Sequence, residues 1–80
     1  MNSDLIKQRL SQVPNLEHLN VDGDGMHFQI FLVSTEFSNK TKLARQRLVY
    51  SYLKDWLADG SLHAVELTTL TPQEWENKDE

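Results

Sequence analysis

The chain has no cysteine. That excludes a disulfide staple, a thiolate nucleophile and unaided sulfur ligation of a soft metal. Any sulfur ligand has to come from another molecule, and His18, His27 and His63 are the only imidazoles on offer. Long apolar runs are missing too: none approaches the roughly 20 residues that span a bilayer, and the opening "MNSDLIKQRL" lacks the apolar stretch of a secretory signal. The expectation is a soluble, cytoplasmic protein with no membrane association. Basic residues are few, eight Lys and Arg against twelve Asp and Glu for a net charge of -4, which weighs against general affinity for nucleic acid.

What is present suits one small core. Eighty residues, 39% of them apolar, make a single domain over 1–80, since chains of this length bury only roughly 60% of their unfolded surface. Charge is unevenly placed: residues 39–54, "NKTKLARQRLVYSYLK", carry Lys40, Lys42, Arg45, Arg47 and Lys54 without an acid.

The pattern along the chain alternates between two periods. Ser3 or Asp4 can cap a first helix whose Leu5, Ile6, Leu10 and Val13 form one stripe, and Pro14 stops it. "LEHLNV" and "MHFQIFLV" favour strands and are separated by "DGDG", a hairpin turn. In the second strand Met26, Phe28, Ile30 and Leu32 share the core face, opposite His27, Gln29, Phe31 and Val33. Residues 41–60 read as helical, but their apolar positions spread so widely that two helices broken near Tyr50 and Ser51 are expected, with Gly60 closing the second. "LHAVELTTL" is a third strand. In "LTPQEW", Thr71 is an N-cap, Pro72 the first helical residue, Glu74 the capping-box acid and Leu70 a hydrophobic staple to Trp75. Met1 to Ser3 and the acidic "ENKDE" are expected to fray.

The connection between the second and third strands is long enough for a crossover, which permits parallel pairing. His27 and His63 would then meet at one end of the sheet, whereas antiparallel pairing would separate them by on the order of 20 Å. A lone strand histidine is more often packed and hydrogen-bonded than a ligand, and two histidines this far apart in sequence carry no metal motif. Both readings stay open on spacing alone. "GDGM" lacks the length and lysine of a phosphate loop, Asp22 and Asp24 are turn residues without further calcium ligands, and there is no nucleophile motif. The chain does not read as an enzyme, and no catalytic residue is assigned.

The run "FSNKTKLARQRLVY" followed by "LHAVELTTLTPQEW" resembles the BolA-like family, and "VDGDGMHFQ" is most similar to its IbaG (YrbA) branch. The resemblance covers nearly the whole chain. It departs at Asn39, where the family usually has glycine, and at Ser51 and Tyr52, where some relatives have Gly-Pro. It implies an α/β fold of the α+β kind, class II KH-like, ordered helix-strand-strand-helix-helix-strand-helix around a three-stranded mixed sheet. It also implies a non-enzymatic, stress-response partner of monothiol glutaredoxin, with a bridging 2Fe-2S cluster shared with glutaredoxin and glutathione, free as a monomer or weak homodimer. By position His63 is the family's strand histidine and His27 that of its variable hairpin loop, so these two are the expected metal ligands. Thr71, Pro72 and Trp75 fall in the partner-binding region. The alternative is a KH-like nucleic-acid-binding transcriptional regulator using Lys40, Lys42, Arg45 and Arg47, residues that could equally dock a protein partner.

Overall fold

Helix α1 (Ser3–Leu10), strands β1 (Leu16–Gly23) and β2 (His27–Ser34), a single 3-10 turn over Thr35–Phe37, helix α2 (Lys42–Ala58), strand β3 (Ala64–Leu70) and helix α3 (Pro72–Asn77) follow one another in a computed structural model. Residues 1–77 are described; the last three residues of "ENKDE" lie outside them. The part of that segment within them, Glu76 and Asn77, is helical.

The sheet has the order β1-β2-β3, with β1 antiparallel and β3 parallel to β2. One face is packed. Ile6, Leu10 and Val13 behind α1, Phe28, Ile30 and Leu32 on β2, and Val49 and Leu53 on α2 close over it, joined by Phe37 and Leu62. Helix α3 lies against the opposite face, where the Trp75 ring meets His18 and Phe31.

Several expectations need correction. The segment 41–60 does not break near Tyr50 and Ser51; α2 is one helix of 17 residues. Neither of those residues is a helix breaker, and the breadth of the apolar surface is taken up by one wide packed face: Val49 and Leu53 are fully buried and Leu48, Tyr52, Trp56 and Leu57 pack half-buried against the same core, Trp56 also taking the Arg9 guanidinium of α1 at 3.6 Å from its ring centroid. The order is therefore helix-strand-strand-helix-strand-helix plus the 3-10 turn, which was not foreseen and which buries Phe37. The cap of α1 is Asn2, not Ser3 or Asp4, its side chain accepting from Leu5 N at 2.9 Å. Leu5 stays 45% exposed on the edge of the predicted stripe.

Met26 is not a core residue but 58% exposed, because the hairpin turn extends through it. Asp24 Oδ1 accepts from the backbone N–H of both Met26 and His27, a local alternative to strand pairing. These bonds, His27's first, hold the Asp24 carboxyl below the usual carboxylate range. Only Gly25 in this turn has a positive φ, 96°; Gly23 is needed for another reason, since a Cβ there would collide with His27 O and the Phe28 ring. Asn39 has φ 61°, a region that asparagine tolerates better than most side chains, so its departure from the glycine that the resemblance implies is accommodated. Gly60 closes α2 with φ 81°, as expected.

Candidate functional site

Residues on β2 and β3 match in parallel register from His27 opposite Ala64 to Val33 opposite Leu70. β3 begins at Ala64 rather than Leu62, so His63 is the last residue before the strand and not within it. Its position is still fixed. Leu62, 2% exposed, is in the core and donates its N–H to Trp56 O at 3.0 Å, and Ala64 N donates to Met26 O at 3.5 Å. His27 is anchored through Asp24, whose backbone N–H donates to His27 O at 3.3 Å while His27 N donates to Asp24 Oδ1 at 3.0 Å. Both histidines are exposed, at the same end of the sheet and on neighbouring chain segments. The packed-histidine alternative thus does not describe either of them.

As donors to a metal group the pair is incomplete. Among the described residues no set of three or more His, Cys, Asp and Glu side chains could hold a metal ion. Two exposed imidazoles suit a group whose remaining ligands another molecule supplies, and with no cysteine in the chain those would include all its sulfur.

His18 does not join them. The pairing of β1 with β2 shifts between Leu16, opposite Ser34, and His18, opposite Val33. This bulge turns Leu16 toward the packed face and His18 toward the other. There the His18 ring lies 4.8 Å from Trp75 and 5.5 Å from Phe31. The sequence offered His18 no partner, since the bulge and the return of α3 are both set by tertiary packing.

The cations divide into two kinds. Arg45 is 13% exposed and committed within the molecule: Nη1 and Nη2 donate to Glu74 Oε1 and Oε2 at 2.7 and 3.2 Å, Nη1 also to Thr69 O at 3.1 Å, and Nε to Lys40 O at 3.1 Å. Glu74 in turn closes the expected capping box, Thr71 N donating to Glu74 Oε1 at 2.8 Å and Glu74 N to Thr71 Oγ1 at 3.1 Å. The Arg45 guanidinium first, then the Thr71 N–H, pull the Glu74 carboxyl down to about 2. Lys40, Lys42 and Arg47 are exposed. Thr71→Ala is expected to cost about 1 kcal/mol through the lost cap; unchanged urea midpoints would show that α3 does not depend on it.

The arrangement is that of a small α+β domain: a mixed sheet with α1 and α2 on one face and α3 on the other, a β-α-β crossover, and exposed imidazoles where the parallel strands start. A family model described as BolA-like protein matches residues 7–74. The chain belongs to the BolA family. It is similar to the acid stress protein IbaG of Escherichia coli strain K12, 35% identical over 94% of this chain and 89% of that one. Among solved structures it is similar to a Bol-like protein from Babesia bovis, with TM-score 0.85 and 31% identity over 100% of this chain and 95% of that one. It is also similar to the BolA domain of SufE1 from Arabidopsis thaliana, with TM-score 0.80 and 28% identity over 90% and 93%. No helix among the described residues is long and apolar enough to cross a membrane.

Proposed function

We propose that this chain is a non-enzymatic partner of a monothiol glutaredoxin and co-ligates a bridging 2Fe-2S cluster in iron-sulfur trafficking or iron sensing, through His63 with His27 as second ligand or tuning residue. The observation that carries the reading is the parallel register, in which His27 faces the residue that follows the exposed His63. Membership of the BolA family supports it, and so does the absence of cysteine, because glutaredoxin and glutathione would then supply the sulfur. Nitrogen ligation at one iron raises a cluster's potential relative to all-sulfur ligation. The hairpin and the Leu62 anchor hold the backbone at His27 and beside His63 while both residues stay exposed, so an incoming partner would displace no core contact to reach them.

The nucleic-acid alternative is less well supported, because Arg45 is committed to Glu74 and to two backbone carbonyls and cannot also track phosphates. Lys40, Lys42 and Arg47 remain for either role.

The test is to mix the protein with a cluster-loaded, glutathione-bound monothiol glutaredoxin and follow the visible circular dichroism, then to reduce the complex and look for nitrogen hyperfine coupling. A new spectrum with nitrogen coupling is expected. A stable complex that leaves the all-sulfur spectrum unchanged would reject co-ligation and retain only the partnership.

A further inference from the structure

The outer edge of β3 is an open strand edge with its own charge pattern. In a β-ladder the N–H and C=O of one residue point to the same side. Ala64 N donates to Met26 O, just before β2, and the parallel register continues along β2, so Ala64, Glu66, Thr68 and Leu70 direct their peptide groups to β2, and Val65, Leu67 and Thr69 direct theirs away from the sheet. The bond from Arg45 Nη1 to Thr69 O, 3.1 Å, reports the same direction independently. Beyond it, no strand among the described residues pairs with this side of β3.

The two edges of the sheet differ. β1 carries a bulge next to Glu17, with Asp22 further along, features that discourage pairing with another chain. β3 is in unbroken register along its length and contains neither bulge nor proline. Beside it runs a groove of about 410 Å³ lined by Lys40, Lys42, Arg45 and Glu74, with Leu67 and Leu70 in its wall. Because Arg45 already neutralises Glu74, the charge left for a ligand is that of Lys42 and of Lys40, whose Nζ donates to Glu36 O at 2.6 Å but has no carboxylate against it among the described residues.

We infer that β3 accepts an extended, acidic segment of a partner protein as an added strand, its backbone pairing with Val65 and Leu67, short of Thr69 where Arg45 covers the edge, and its carboxylates lying at the Leu70 end against Lys40 and Lys42. Main-chain bonds supply the register and the lysines the choice of sequence. A second copy of this chain fits less well: its β3 brings one carboxylate, Glu66, which shares the face of Gln29 and Ala64 opposite to α2, at whose start the lysines lie. A nucleic-acid strand lacks alternating N–H and C=O groups. The inference does not rest on the cluster reading, and its test uses the protein alone, without iron or glutaredoxin.

The probe is the synthetic peptide acetyl-Thr-Val-Thr-Val-Glu-Glu-amide, with two controls: versions N-methylated at alternate residues in either register, and a version ending Lys-Lys. Amide exchange is read residue by residue. Val65 and Leu67 are expected to exchange freely in the isolated protein and to slow on saturation with the acidic peptide, while the already paired Glu66 and Thr68 change little. N-methylation in one register should abolish the effect. Lys40→Glu combined with Lys42→Glu should weaken the acidic peptide roughly tenfold and favour the Lys-Lys version. The inference is overturned if both N-methylated peptides bind as well as the parent, if Val65 and Leu67 are protected in proportion to protein concentration without peptide, which assigns the edge to a second copy, or if a single-stranded oligothymidylate perturbs these amides and the acidic peptide does not.

Discussion

Replacing His63 with alanine is expected to abolish the nitrogen-derived hyperfine signal of the mixed cluster complex while leaving the free protein folded. The two halves of the expectation have separate causes. Loss of the signal follows from the proposal that His63 supplies the exchangeable nitrogen ligand, and first ligands are not replaced by their supporting groups. Survival of the fold follows from exposure: His63 stands outside β3, the backbone on either side is held by Leu62 in the core and by the Ala64 bond to Met26, and an exposed substitution away from such anchors usually changes stability by less than about 0.5 kcal/mol. His27→Ala should have the smaller spectral effect, since a hairpin position leaves room for solvent or another donor. A His63→Ala protein that melts like the parent and still gives full nitrogen coupling would move the ligand role to His27. One that unfolds would show that the position is structural after all.

The residues that could be placed from sequence were those whose surroundings are local. The capping box of Thr71 and Glu74, the stop at Gly60 and the alternation of Phe28, Ile30 and Leu32 each follow from a few neighbouring side chains. Placing His27 and His63 at the same end of the sheet needed only the inference that a long connection allows parallel strands, and the sheet is paired that way. What could not be seen depends on how elements lie against one another. The breadth of apolar surface on α2 pointed to a break because nothing in the segment announces that a core closed by α1, Phe37 and Leu62 as well as by the sheet takes up so wide a helix face. His18 looked solitary because a one-residue shift in pairing decides its face. Arg45 looked like one of a row of free cations, and nothing in its spacing from Glu74, 29 positions on, reveals that α3 returns beside the start of α2.

That last contact leads to the largest effect on stability. Arg45→Ala removes a bidentate pair with Glu74 and leaves Thr69 O, on a residue 9% exposed, without its donor. Losing charged hydrogen bonds of this kind costs about 2 kcal/mol, which for a chain of this length lowers Tm by roughly 10 °C. The dependence on pH distinguishes this from a simple loss of packing. Glu74 has its ordinary value of 4.5 when unfolded and about 2 when folded. A depressed carboxyl contributes stability that is complete above the unfolded value and is lost as pH falls from about 4.5 toward 2. Because the Glu74 side chain is 46% exposed, solvent screens the pair and the contribution is well below what so large a shift would give in a buried site. Asp24 and Asp59 are also lowered, by bonds from His27 and from Ser61, but Arg45→Ala leaves those bonds intact. The difference in unfolding free energy between the parent and Arg45→Ala should therefore be largest near neutral pH and shrink steadily below pH 4.5. Arg45→Lys should recover only part of it, since an ammonium cannot hold both carboxylate oxygens in the same fork. Urea denaturation of the three proteins at neutral and acid pH measures these differences, and a gap between parent and Arg45→Ala that stays constant across that range would show that the guanidinium stabilises the fold by packing rather than through the charge on Glu74.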